Sequence, residues 1–342
     1  MEPDRWVVRV GTCPPPATRR SGAVAAGRLT RRPVAPVAAA VLPHPPLLVP
    51  ELAGAAAPEL DPLRAACQEA LSTVVAAADL TILIGDGPVW AIPAPAAPGS
   101  FQPYGADIDV PLPTLADLDL PGLPPPARLT DLPLSLAVAA QLLNDLDPPP
   151  ARLFAATVPR SLGPRAAATI GQTLAGAARF GLVVMADLSA CRSDRAPGGF
   201  RPEAANFDTW VADAFRTGTP QSLLALDPVE STDLLVAGRV PLQVLAGAFD
   251  RGSSVRGQAL DEGQRAGRGA GPGEAVPAAP DEPGREAPGQ PGSATPDEPS
   301  WTPPDRPGWA APAPTGPELR GRILYEDAPY GVGYLVALVT TP

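Results

Sequence analysis

Proline sets the terms on which this chain can fold. It occurs 50 times among 342 residues, beside 33 glycines, where ordinary shares are about 5% and about 7%. Its ring fixes φ and removes a backbone donor, so it interrupts helices and sheet ladders. Regular structure must therefore lie in the stretches where proline is scarce.

Residues 1–34 are rich in Arg, Pro and Gly without any period. They are expected to form a disordered tail, or to reflect a start codon chosen too far upstream. Glu2 and Asp4 stand where a signal peptide carries positive charge, and no hydrophobic core follows them.

The pattern changes near residue 36. Val37-Ala38-Ala39-Ala40-Val41-Leu42 is a short apolar run that stops at Pro43-His44-Pro45-Pro46, as a buried strand opening into a loop would. Asp61-Pro62 then reads as a helix start, with Asp61 as N-cap and proline at the first helical position. Leu63, Cys67, Ala70, Leu71 and Val74 fall on one helical stripe. Leu80-Thr81-Ile82-Leu83-Ile84 is the next buried strand, ended by Gly85-Asp86-Gly87. Strand, helix, strand implies a parallel pair with a right-handed crossover.

Residues 91–130 are proline-rich, with an edge strand expected around Ile108–Leu112. The alternation then resumes: a helix over 134–146, a strand over 152–158, a helix over 164–178, a strand over 181–187. Two or three further helices follow between Pro202 and Phe249. Residues 251–319 are Pro, Gly, Glu, Asp, Arg and Ser with almost no aliphatics. Such a segment cannot bury enough apolar surface to offset its ordering entropy, so it is expected to be disordered. Beyond it, Ile323-Leu324-Tyr325 and Gly333 to Val339 read as two strands around Asp327–Gly331. The expectation is a single α/β domain of residues 35–250 and 320–342, interrupted by a disordered insertion at 251–319. Its mostly parallel central sheet is flanked by helices on both faces and completed by a C-terminal hairpin.

Charge and cysteine usage narrow the partners. A net charge of −10 and a pI near 4.7 repel phosphate backbones, which argues against nucleic acid. Arginine supplies every basic residue, and with the alanine load this reads as a GC-rich genome. Only Arg19, Arg20, Arg28, Arg31 and Arg32 cluster. No apolar run reaches the roughly 18 residues that a membrane span needs. Cys13, Cys67 and Cys191 form no CxxC pair, so a reducing, cytoplasmic setting is expected.

Ligands of open α/β sheets sit at the carboxyl ends of the strands. His44 ends the first strand and is the chain's sole histidine; Asp86 ends the second; Asp187 ends the strand through Val184, with Ser189 and Cys191 just after it. One imidazole and two carboxylates in one crevice would suit metal or acid–base chemistry. Simpler readings stand beside that one. His44 reads equally as a loop residue bonded to backbone, Asp86 as a turn residue between glycines, and Asp187 as a helix cap. Cys191 as a nucleophile would have only His44 to activate it.

Three runs carry a family resemblance. Leu42-Pro43-His44-Pro45-Pro46-Leu47-Leu48-Val49-Pro50-Glu51 resembles the opening motif of class III extradiol ring-cleavage dioxygenases, the LigB-type catalytic subunit family. The branch it is most similar to is that of the Memo-like and radical-SAM associated proteins. Asp187-Leu188-Ser189 followed by Ala196-Pro197-Gly198-Gly199-Phe200 resembles an internal motif of that branch, and Tyr330 to Ala337 its last strand. The resemblance implies an Fe(II) site of two histidines and a glutamate with a further acid–base histidine, acting on a small catechol-type aromatic. It also implies subunits that often pair. Carried over by residue, His44 matches the first ligand. Gly87 stands at the second histidine, Ala190 at the acid–base histidine and Val236 at the glutamate. An iron held by one imidazole would dissociate. A catalytically inactive member that keeps the fold is therefore expected. The alternatives are an active enzyme with an oxygen-rich Mg or Mn site at His44, Asp86 and Asp187, or a small-molecule-binding or protein-interaction scaffold.

Overall fold

Short apolar runs become strands here because both faces of the sheet are covered. In β1 (Ala38–Leu42) every residue is buried. Ala39 and Val41 face one core, while Ala38, Ala40 and Leu42 face the other, the two-residue alternation of a pleated strand. The computed structural model describes residues 35–113, 115–176, 179–250 and 319–341, all within one compact unit. The expectation for residues 1–34 lies outside the described residues, as does that for 251–319 except at Leu319, which packs against the core.

After β1 come the short helix α1 (Pro50–Ala53), a 3-10 turn at Gly54–Leu60, helix α2 (Asp61–Ala77) and β2 (Leu80–Gly87). Four brief strands follow: β3 (Ala91–Pro93), β4 (Pro98–Ser100), β5 (Asp109–Pro111) and β6 (Ala127–Leu129). Then come α3 (Leu134–Asn144), β7 (Leu153–Pro159), α4 (Pro164–Leu174), β8 (Phe180–Met185), α5 (Glu203–Arg216), α6 (Pro228–Asp233) and α7 (Arg239–Phe249). The strands β9 (Arg320–Asp327) and β10 (Tyr334–Thr340) close the series.

The eight-stranded sheet has the order β6-β3-β7-β2-β8-β1-β10-β9. Its centre, β7-β2-β8-β1, is parallel throughout, and the β9–β10 hairpin adds antiparallel to β1. Helices α2 and α3 pack on one face; α4, α5 and α7 pack on the other. This is the α/β class expected, with helices on both faces and a C-terminal hairpin. No helix among the described residues is long and apolar enough to cross a membrane.

Several local expectations are corrected. The strands β1 and β2 run parallel but do not pair, because β8 lies between them. A strand buried on both faces accepts a neighbour on either edge, so chain order does not fix sheet order. Asp61 is the first residue of α2 and not its N-cap. The 3-10 turn leads straight into the helix, and the Asp61 carboxylate pairs instead with Arg64 at 2.6 Å. The stripe from Leu63 to Val74 is buried as the spacing predicts. The strand near Ile108–Leu112 exists but pairs with β4 in a separate two-stranded sheet; β3 and β6 form the actual edge.

Candidate functional site

The four central parallel strands each deliver one polar side chain at their carboxyl ends. In sheet order these are Arg160 after β7, Asp86 in β2, Asp187 after β8 and His44 after β1. His44 Nε2 lies 3.3 Å from Asp86 Oδ1 and 3.8 Å from Asp187 Oδ2, with the imidazole 3% exposed. Asp86 Oδ2 accepts from Arg160 Nε at 2.5 Å. His44 Nδ1 is buried without a partner among the described residues.

The structure thus brings together His44, Asp86 and Asp187; His44 lies in a loop as the simpler reading has it, while those of Asp86 and Asp187 are replaced. Asp86 is not in a turn: β2 continues through it, in register with Val158 of β7. Its backbone carbonyl accepts from Ser135 Oγ at 2.8 Å. Asp187 caps no helix. Its Oδ1 accepts from the backbone N–H of His44 at 2.7 Å, so it fixes the loop that carries the imidazole. Burial pushes the Asp187 carboxyl above the ordinary carboxylate range, against the opposing pull of His44 and Arg160.

The loop after Asp187 is held by a second carboxylate. Asp208 of α5 accepts from Ser189 N at 2.9 Å, Ser189 Oγ at 2.8 Å and Arg192 Nη1 at 2.8 Å. Burial raises its carboxyl as well, with the Ser189 and Arg192 bonds opposing. Cys191 is fully buried in this loop, where desolvation raises the thiol. A thiol held neutral and out of reach does not serve as a nucleophile.

Arg160 is the site residue absent from the strand ends that the sequence reading names, although the strand over 152–158 leads to it. It follows β7 directly, so a survey of the residue after every strand would have reached it. Its backbone carbonyl accepts from Arg239 Nη2 at 2.5 Å. Arg239 Nη1 donates to Leu162 O at 3.1 Å and Gln243 Oε1 at 2.8 Å. Arg239 is only 6% exposed and faces neutral oxygens, so burial lowers its pKa. It ties the loop after β7 to α7.

A cleft of about 480 Å³ opens over the site. His44, Asp86 and Arg160 supply polar groups to it, and Pro88, Pro133 and Pro159 much of its walls. Leu134 and Ser135, at the start of α3, border it too.

The residues do not fit the iron centre that the sequence resemblance implies. Gly87 occupies the second histidine position, and a Cβ there would fall 2.8 Å from Thr157 Cβ, closer than side chains tolerate. Ala190 and Val236 carry no donor atom. Asp86, the nearest carboxylate, is already bonded to a guanidinium. No group of three or more His, Cys, Asp or Glu among the described residues is arranged to hold a metal ion.

No family model matches the chain, and no curated protein does. Among solved structures it is similar to an uncharacterized protein, JW3007, from Escherichia coli K12, with 12% identity and a TM-score of 0.48. That match covers 89% of this chain and 99% of the other.

Proposed function

We propose that this protein is a catalytically inactive relative of the extradiol dioxygenases, whose cleft binds a small aromatic molecule without a metal. The observation that carries the reading is the Arg160–Asp86 pair at 2.5 Å. A guanidinium stands where a metal site would need an open carboxylate, and it supplies the positive charge that Asp86 requires in a partly dry setting. With one imidazole left, three donorless positions and a cleft walled by proline, the remaining chemistry is recognition. The two described cysteines are free and buried, and we place the protein in the cytoplasm on its cysteine usage.

The test is metal content and oxygen uptake. Purified protein incubated anaerobically with Fe(II), Mn(II) and Zn(II) and then desalted is expected to hold far less than one metal per chain. It is also expected to consume no O₂ with catechol. Stoichiometric metal that His44→Ala abolishes would overturn the reading in favour of an enzyme using His44, Asp86 and Asp187.

A further inference from the structure

Large apolar side chains stand in water at a few places on this surface, and four of them share three segments that are bonded to one another. Phe200 is 59% exposed, Leu235 49% and Tyr330 44%, and Val229 is exposed as well. Phe200 belongs to the loop between β8 and α5, Val229 to α6, Leu235 to the residues just past α6, and Tyr330 to the turn between β9 and β10. Ala190 N in the loop donates to Leu234 O at 2.9 Å, and Arg192 N to Gly331 O at 3.0 Å. A Cβ on Gly198 would lie 2.9 Å from Leu235 Cδ1, so the loop that carries Phe200 touches the exposed leucine.

The backbone marks the same patch. Leu235 and Tyr330 have φ of 54° and 60°, in the left-handed region that favours glycine. Leu235 N donates to Thr232 O at 3.1 Å and Val236 N to Ser231 O at 2.8 Å. This pair of bonds closes a helix with one left-handed residue, a place where glycine is usual. The Tyr330 hydroxyl at least finds a partner, donating to Glu59 Oε2 at 2.8 Å. Leucine has no such anchor. It strains the chain and leaves half of its side chain in water, and folding gains from neither. Strain of this kind points to a use at the surface.

Charge says what covers the patch. On the loop side Arg192, Arg195 and Arg201 stand against Asp194 and Glu203. On the α6 side are Asp227, Glu230 and Asp233, with no basic residue between Arg216 and Arg239. Arg192 is engaged by Asp208, but Arg195, Arg201, Glu230 and Asp233 have no ion-pair partner among the described residues. A surface that is basic on one side and acidic on the other complements itself under a twofold axis. Elsewhere two copies of net charge −10 repel, so their contact is favoured where exposed arginines lie.

We infer that two copies of this chain pair through this patch about a twofold axis. Phe200 and Leu235 form its centre, and Arg195 and Arg201 of each copy face Glu230 and Asp233 of the other. This pairing does not depend on what the cleft holds, since none of the four exposed apolar side chains lines it.

Sedimentation velocity of the full chain tests the pairing. Between about 1 and 100 µM the chain is expected to pass from monomer to dimer, and added salt should favour the monomer. Leu235→Gly suits the left-handed backbone, so its urea midpoint is expected to equal or exceed that of wild type. Its dimer dissociation constant should nevertheless rise at least about tenfold. The charges are tested by two double variants, Arg195→Glu with Arg201→Glu, and Glu230→Arg with Asp233→Arg. Each alone is expected to be monomeric, while their equimolar mixture dimerises. A wild type that stays monomeric throughout, a dimer indifferent to Leu235→Gly, or a mixture that stays monomeric would each overturn the inference. A chain that dimerises only once residues 251–318 are replaced by a short Gly and Ser linker would overturn it too, because the patch would then be covered by the chain's own segment.

Discussion

Asp187 does two things that conflict. Its carboxylate must accept from the His44 backbone to shape the loop, and burial makes its charged form unfavourable. The consequence for stability has a definite sign. A carboxyl whose native pKa is raised keeps its proton to higher pH in the folded chain than in the unfolded one. In that window the native state binds more protons, so stability falls as pH rises. Asp187→Asn retains an acceptor oxygen for His44 N but does not titrate. Denaturation of both proteins from about pH 4 upward, above the unfolded aspartate value of about 3.9, is expected to show a trend. Wild type should lose stability relative to the variant as pH rises. Asp208 titrates in both and drops out of the comparison. A difference that is flat or rises with pH would refute the assignment. At this scale the site was partly legible: a residue at a strand's end is visible once the strand is found, which yields His44, Asp86 and Asp187. Arg160 is not legible in the same way, because nothing local in Pro159-Arg160-Ser161 says that its guanidinium reaches across to a neighbouring strand.

Helices α4 and α7 meet through glycines on both sides. A Cβ on Gly171 would fall 2.6 Å from Ala248 N, and one on Gly247 would fall 2.6 Å from Ala168 Cα. Both obstacles are backbone, which cannot swing aside as a side chain can. Gly247→Ala should therefore force the helices apart and destabilise the fold by about 1–3 kcal/mol despite alanine's better helix propensity. A fall in the urea midpoint at unchanged slope is the expected result, and an unchanged or raised midpoint would refute the close packing. Elements with long apolar periods were legible in the sequence, α2 and the four central strands above all, because burial on both faces leaves a continuous apolar run. The short strands β3 and β6 were not. Each has three residues, too few for a period to register, and the prolines around them argue for loop. Sheet order was equally hidden, since the placing of β8 between β1 and β2 depends on which apolar edges meet in space.

The two separated parts of the chain form one sheet, so the segment between them is a closure problem at the scale of the whole molecule. Strand β10 lies beside β1 and buries Leu335 to Val339. The chain on either side of residues 251–318 comes to neighbouring places: Phe249 O accepts from Gln221 Nε2 at 3.3 Å, and a Cβ on Gly218 would lie 2.6 Å from Leu319 O. A short connection therefore suffices to join α7 to β9. The sequence expectation that 251–319 holds no packed core fails at Leu319, which packs against the core, and for the rest has a measurable consequence. Loop-closure entropy grows with the logarithm of length, so replacing the segment by about eight Gly and Ser residues should raise stability by about 2 kcal/mol. The denaturant midpoint is expected to rise at constant slope, because the surface exposed on unfolding stays the same. A lower midpoint together with a smaller slope would mean that the segment packs against the domain, and that its poverty in aliphatic residues is a poor guide to what it does.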